Sequence, residues 1–322
     1  MKRALVTGAT GFVGQWLCRA LLRDGWDVTG LSLAPPRGHT LSEHERNSIR
    51  WIEQDLRLPQ VASEVVSGTA PDAVFHLAGL SFVPASGHDP VAGFSTNVGA
   101  GVALLSAVRG ARDQGALDPL VLMVGSAEQY GAHDPAEGAL AETALCRPMT
   151  WYAGSKCAQE TMALAAHRAD GLRVICTRSF NQGGPGQVET FLLPSMVRRV
   201  QALHVPDAGA RPRLELGNLH TTRDFLHVAD AVEAYLALAG HGVCGEVYNV
   251  CSGIGVTVEA LAHEVCGRAG VDAELVSDPR LRRAVDVPWL VGDNAKIRST
   301  TGWAPRRSRS DIIDDLLHAA SH

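Results

Sequence analysis

In the stretch Tyr152-Ala153-Gly154-Ser155-Lys156 a phenol and an ammonium group stand four residues apart, about one helical turn. If Thr150 caps a helix that runs to about Arg168, both groups project from one face of its first turn. A cation beside a phenol lowers its pKa, and such a tyrosine exchanges a proton near neutral pH. An ordinary surface Tyr–Lys pair has the same spacing, so the meaning of the pair depends on what else the chain carries. At the other end, Gly8-Ala9-Thr10-Gly11-Phe12-Val13-Gly14 directly follows the first apolar run and opens the first amphipathic segment. That is the setting of a dinucleotide fingerprint. Gly8 permits the tight turn, Gly11 lets backbone approach a pyrophosphate at a helix N-terminus, and Gly14 allows helix to pack closely on strand.

A third group falls where strands end. Ser126 closes the run Val124-Gly125-Ser126-Ala127-Glu128, and in doubly wound sheets ligands bind at the carboxyl ends of strands. The second run, Val28-Thr29-Gly30-Leu31-Ser32-Leu33, ends in Ser32 where an NAD enzyme often carries an acid for the ribose 2′-hydroxyl. With no carboxylate to repel a 2′-phosphate, and with Arg37 nearby, the reading favours NADP(H), with NAD(H) the alternative; Arg37 also reads as a solvated loop residue.

The elements that position these groups follow from the hydrophobic pattern. Short apolar runs at 4–7, 27–33, 50–53, 73–77, 120–125 and 173–177 alternate with amphipathic segments at 16–23 and 96–112 and with the Tyr152 helix. This predicts an α/β chain: a doubly wound parallel sheet, the Rossmann arrangement, with a smaller α/β substrate-binding lobe. The dinucleotide-binding part is expected over 1–178, completed by segments near 222–251, and the lobe mainly over 179–322. The Gly- and Gln-rich stretch 179–187 reads as a loop leaving the sheet, followed by a helix over 228–239, a buried strand over 246–250 and a helix over 257–269.

Composition sets the outer limits. With 46% hydrophobic and 20% charged residues among 322, the chain is globular, and a net charge of −5 argues against nucleic acid or anionic membrane as a partner. The short apolar run after Met1 is not a signal-peptide core and no stretch has the length of a membrane span, so the expected location is the cytoplasm. Seven scattered cysteines without a C-x-x-C pair, and 13 histidines without H-E-x-x-H, give no disulfide framework and no metal site.

Taken together, the G-x-x-G-x-x-G turn, Ser126 and the Tyr152-x-x-x-Lys156 pair resemble the extended short-chain dehydrogenase/reductases, the NAD-dependent epimerase/dehydratase family. The resemblance implies that Ser126 binds the substrate carbonyl or alcohol, Tyr152 transfers the proton, and Lys156 lowers the tyrosine pKa while holding the nicotinamide ribose. It implies that Asp55 and Leu56 lie at the adenine, with an N-cap as the competing reading for Asp55. It places Leu77, Ala78 and Gly79 along the pyrophosphate and ribose; His76 also reads as a hydrogen-bonded core histidine.

Longer segments, 76–84, 178–187 with Gly184-Pro185-Gly186-Gln187, 217–226 and 247–253, are similar to the family's reductases of GDP-4-dehydro-6-deoxy-D-mannose. This implies a nucleotide-diphosphate sugar substrate contacted by Ser81, Asn181, Arg223 and Arg283, and a homodimer. Arg223 beside Asp224 also reads as an internal ion pair. A 4-epimerase or 4,6-dehydratase that recycles its cofactor is the enzymatic alternative, in which Glu128 would abstract the C5 proton. A catalytically silent dinucleotide sensor is a third. Trp151 stands where proline is usual and is expected to touch the sugar pocket; Ser179 and Ala284 likewise replace prolines.

Overall fold

The computed structural model describes residues 1–36, 40–80, 89–203, 211–282 and 285–319. Its centre is a seven-stranded sheet of β1 (Arg3–Thr7), β2 (Asp27–Ser32), β3 (Arg50–Glu53), β4 (Ala73–His76), β5 (Leu120–Ser126), β6 (Val174–Ser179) and β10 (Val247–Val250) in the order β10-β6-β5-β4-β1-β2-β3. Every adjacent pair is parallel. Parallel strands need both faces covered, which is why Leu5, Val6, Val74, Phe75, Val121 and Leu122 read as unbroken apolar runs and are buried. On one face the helices Phe12–Arg23 and Val228–His241 bury Leu17, Leu21, Tyr235 and Leu238. On the other, the helices Pro59–Thr69, Ala100–Asp113 and Trp151–Asp170 bury Val61, Val65, Leu104, Val108 and Ala163. Strand order reverses between β1 and β4, so their carboxyl ends open a crevice, the expected place for a ligand.

Beyond β6 lie β7 (Asn181–Gly183), β8 (Arg213–Leu216), β9 (Thr222–His227), β11 (Gly255–Thr257), β12 (Glu274–Ser277) and β13 (Trp289–Leu290). β9 is flanked by β11 and β13 and also pairs with β7, while β8 pairs with β12. Helices Leu192–Gln201, Val258–Arg268 and Arg309–Ala319 close a separate core around Met196, Leu261 and Ile312. The stretch 179–187, expected as loop throughout, contains β7, whose Asn181, Gln182 and Gly183 lie in parallel register with Phe225, Leu226 and His227. Gly183 fits there because a Cβ would come 2.7 Å from Ile312 Cγ2. Of the segments near 222–251, β10 and the helix Val228–His241 belong to the large sheet, whereas β9 belongs to the small one.

The segment expected as a helix over 96–112 begins earlier, at Pro90, and continues to Asp113 through a π-helical turn at Ser95–Gly99. It is long and apolar enough to cross a membrane, but 56% of its most apolar window is buried against its neighbours, as in a core helix.

Candidate active site

The cradle after β1 is built from backbone. Gly8 has φ +70°, and a Cβ on it would sit 2.8 Å from Ala78 N. A Cβ on Gly14 would lie 2.2 Å from Gly8 O, so the turn and the helix touch with no room for a side chain. The turn is held by Gly8 N donating to Leu31 O (2.8 Å) and Gly11 N to Gly8 O (3.0 Å). Ser32 locks it further, accepting from Thr10 N (3.1 Å) while donating to Leu31 O (2.7 Å). Gly8, Gly11, Phe12, Val13 and Gly14 line one end of a cavity of about 460 Å³, with Leu77, Ala78, Gly79 and Leu80 beside them. A side-chain-free turn opening a helix N-terminus at the switch point fits a dinucleotide pyrophosphate.

Asp55 departs from one of its readings, because the N-cap of the helix Pro59–Thr69 is Leu58. Its carboxylate instead grips Arg57 through the side chain (2.6 and 2.9 Å) and backbone (3.0 Å), and that contact holds its pKa below the usual value. The Leu56 side chain is buried in the core. His76 is a core histidine: fully buried, its Nδ1 is 2.8 Å from Thr7 Oγ1, and burial followed by the Lys156 charge depresses its pKa to about 3.

Above the crevice, Thr150 Oγ1 accepts from Ala153 N (3.1 Å) and starts the helix that carries Tyr152 and Lys156. The Ser126 hydroxyl hydrogen-bonds the Tyr152 hydroxyl. Lys156 Nζ donates to Val124 O (2.8 Å) and Gln159 Oε1 (2.9 Å), and a Cβ on Gly79 would be 3.5 Å from it, so the ammonium faces the end of β4. All three side chains and Glu128 line the same cavity. The electrostatics differ from the sequence expectation. Burial, only partly offset by the Ser126 hydrogen bond, pushes the Tyr152 phenol up to about 12, while desolvation brings Lys156 down to about 8. The ammonium, engaged by Val124 and Gln159, does not cancel the cost of burying a phenolate.

Beneath this pair lies a set of buried polar partners that the motif reading missed. Ser126 N donates to Gln129 Oε1 (2.9 Å), Gln129 Nε2 to Glu160 Oε2 (2.9 Å), and Arg178 grips Glu160 with Nε (3.0 Å) and Nη2 (2.7 Å). Arg178 also stacks over the Tyr130 ring at 4.8 Å. From the π-turn, Asn97 Oδ1 accepts from Leu80 N (2.8 Å) and Asn97 Nδ2 donates to Ser155 Oγ (2.8 Å). One signal was available: Gln129 stands three residues after Ser126, the spacing of a capping box, and the two form one.

The far end of the cavity is lined by Asn181, Gln182, Gln187, Asn218, Arg223 and Asp286, among others. Asn181 Nδ2 donates to Asp224 O (3.1 Å). Arg223 does form an ion pair, but with Asp286 (2.9 Å), which also accepts from Asn218 Nδ2 (3.0 Å). Asp224 is turned the other way, fully buried and accepting from Ser252 Oγ (2.6 Å), Ser252 N and Gly253 N (both 2.9 Å). The loop Gly184–Gln187 packs on the first helix: Trp16 Nε1 donates to Pro185 O (3.1 Å), and a Cβ on Gly186 would meet Thr40 Oγ1 at 2.4 Å. Trp151 is 69% exposed and is not among the residues that line the cavity; as the first residue of its helix, preceding the buried Tyr152, it is directed to solvent, so among the described residues the expected contact with the sugar pocket is not made. Arg37, Ser81, Arg283 and Ala284 lie outside the described residues.

Comparison with known proteins agrees with this arrangement. The family described as GDP-mannose 4,6 dehydratase matches residues 5–316. The chain belongs to that family. It is thus an extended short-chain dehydrogenase/reductase, an enzyme that works with a nicotinamide dinucleotide. The chain is 33% identical to GDP-6-deoxy-D-mannose reductase of Pseudomonas aeruginosa, over 98% of this chain and 96% of that one. The structure of RMD from Pseudomonas aeruginosa complexed with NADPH superposes with a TM-score of 0.81 at 30% identity, covering both chains completely. UDP-glucose 4-epimerase of Thermus thermophilus, solved with NAD, gives 0.83 at 27% identity over 98% of each chain.

Proposed function

We propose that this enzyme is an NAD(P)H-dependent reductase of a nucleotide-diphosphate 4-keto-6-deoxyhexose, with GDP-4-dehydro-6-deoxy-D-mannose as its substrate. Likeness to the Pseudomonas aeruginosa reductase over nearly the whole chain supports the substrate class. What supports the direction of reaction is the same likeness to a reductase, and Tyr152, lining the cavity with Ser126 at the end of β5, is placed to give a proton to a ketone oxygen. Reducing a ketone needs a proton donor at that point, whereas an epimerase or dehydratase begins by taking a proton from a 4-hydroxyl.

In this reading, reduced nicotinamide supplies the hydride. The glycine turn after β1 seats the pyrophosphate, and Lys156 Nζ, facing Gly79, holds the ribose. Ser126 Oγ donates to the ketone oxygen, and the Tyr152 hydroxyl protonates that oxygen as negative charge develops on it. Asn181 and Arg223, with Asp286 fixing the guanidinium, orient the sugar nucleotide; forked donors suit phosphate and ribose oxygens.

The decisive experiment follows NADPH absorbance with GDP-4-dehydro-6-deoxy-D-mannose, where one equivalent should be consumed per hexose formed. Turnover of an unoxidised nucleotide sugar without added reductant would instead establish the epimerase or dehydratase reading. That second reading has one observation in its favour, since Glu128 lines the cavity close enough to Tyr152 to raise its pKa. A Glu128→Gln variant that binds substrate but loses all turnover would mean C5 proton abstraction and exclude simple reduction.

We also infer a preference for NADP(H), because β2 ends in Ser32 with no carboxylate of its own to repel a 2′-phosphate; Ser32→Asp is expected to shift preference towards NADH. A homodimer is the assembly we propose. Val91, Phe94, Val102 and Met162 are exposed on the Pro90–Asp113 and Trp151–Asp170 helices, an apolar face that a second copy would cover. Sedimentation at twice the monomer mass is the expected result.

A further inference from the structure

Two of the seven cysteines are placed unlike the others. Cys18, Cys176, Cys251 and Cys266 are buried, whereas Cys146, Cys157 and Cys244 are half-buried, and of these Cys146 and Cys157 neighbour one another closely enough to shift each other's pKa. The contact is held from both sides. Cys146 sits in a loop pinned by Leu145 O against His133 Nε2 (2.9 Å) and by Arg147 N donating to Tyr130 O (3.1 Å). Cys157 lies one residue after Lys156 on the catalytic helix, its sulfur 3.9 Å from Gln129 O. The chain between the two thiols contains Thr150, Tyr152, Ser155 and Lys156.

We propose that Cys146 and Cys157 are an oxidisable dithiol, converted reversibly by a hydroperoxide into a disulfide that closes a covalent loop around the catalytic Tyr152–Lys156 turn.

The chemistry balances within the pair. The Cys146 thiolate attacks the peroxide, an S–O bond forms as the O–O bond breaks, and the alcohol (water, for hydrogen peroxide) leaves. The Cys157 sulfur then displaces water from the Cys146 sulfenic acid, forming the S–S bond. Two thiols lose two electrons and the hydroperoxide gains them. Reactivity is distributed to match. The hydrogen bond from Cys157, with the Arg178 and His133 charges, outweighs desolvation and brings Cys146 down to about 7, whereas Cys157 is raised. Cys146 is the attacking thiolate and Cys157 the resolving thiol. Bonding requires the sulfurs to close to about 2.05 Å, and the loop beside the exposed Leu145 and Met149 is the softer partner to supply that movement.

The full-length protein is treated with a few equivalents of hydrogen peroxide, alkylated under denaturing conditions and mapped by mass spectrometry. Trypsin cuts at Lys156, so the two cysteines fall on separate peptides, 113–156 and 157–168. The expected product is these two joined, 2 Da below their sum and released by dithiothreitol. It should be absent in Cys146→Ser and in Cys157→Ser but present in Cys244→Ser. The oxidised wild type should also melt several degrees above either single variant treated alike, since a covalent loop restricts the unfolded chain. Oxidation of Cys146 to sulfinic acid without the linked product, or consumption of Cys244 at the same rate, would overturn the proposal. A linked product with no rise in melting temperature would overturn the clamping of the turn.

Discussion

The turn after β1 and the bed beneath Tyr152 are both rigid, but for different reasons. In the turn, rigidity comes from missing side chains: Gly8 and Gly14 bring backbone against backbone, and the groups offered to a ligand are peptide N–H groups at a helix start. In the bed, it comes from a chain of polar contacts, from the Ser126 backbone N–H through Gln129 and Glu160 to Arg178, running from the end of β5 through the Trp151–Asp170 helix to β6. The turn involves one short stretch and tolerates nothing larger than hydrogen. The bed involves several elements, and its charges are compensated only when all are in place. A turn fit for a dinucleotide is thus written locally, while the placement of Ser126, Tyr152 and Lys156 above it depends on the assembled sheet.

Four experiments test this contrast, in decreasing order of expected effect. Tyr152→Phe removes the proton donor and leaves the glycine turn untouched; kcat should fall about 10²- to 10⁴-fold while dinucleotide affinity, read by fluorescence titration, stays within a few-fold. A comparable loss of affinity would mean that turn and bed are not separable. Next, Arg178→Met strands Glu160 as a buried, unpaired carboxylate, and urea unfolding should show a loss of about 3–5 kcal/mol, most of it restored by adding Glu160→Met. Little loss from the single variant would show the network to be solvated in solution. Gly14→Ala forces a Cβ to within 2.2 Å of Gly8 O, and a loss of about 1–3 kcal/mol with weakened dinucleotide binding is expected, with kcat at saturation nearly unchanged.

The last effect, the smallest per unit step, is a pH dependence. Lys156 is protonated in both folded and unfolded chains below about pH 8, so there its burial counts fully against the fold. Between about 8 and its ordinary 10.5 the folded chain has released the proton and the unfolded chain has not, so stability rises with pH. Relative to Lys156→Met, wild-type stability should climb by on the order of 1 kcal/mol per pH unit over that window. A flat difference would show that Lys156 keeps its proton when buried.

The parallel strands and the Tyr152 helix were legible because their signals are local: apolar runs closed by glycine, and a threonine cap three residues before Ala153. The glycine turn was legible for the same reason. The bed was not, because its partners come from distant parts of the chain: Asn97 and Ser155 are 58 residues apart, Gln129 and Glu160 are 31. Arg223 shows the limit well. Its sequence neighbour Asp224 looked like the natural ion-pair partner, but consecutive strand residues point to opposite faces, and the carboxylate on its own side is Asp286, 63 residues on. Trp151 was misplaced for a related reason, since position next to a buried residue on a helix says nothing about burial. β7 escaped notice because three polar and glycine residues carry no strand pattern.

The position of β10 at the edge of the large sheet has a consequence for biosynthesis. β6 pairs with β5 on one side, but its other side is covered by residues 247–250, which leave the ribosome about seventy residues after it, with three of the smaller strands in between. Until then the nascent chain presents β6 as an open strand edge, together with the uncovered apolar side chain of Ile175. A chain that stalls or is truncated before Val250 should therefore be recovered as aggregate, and the stretch between β6 and β10 sets how long a chaperone must shield the growing sheet.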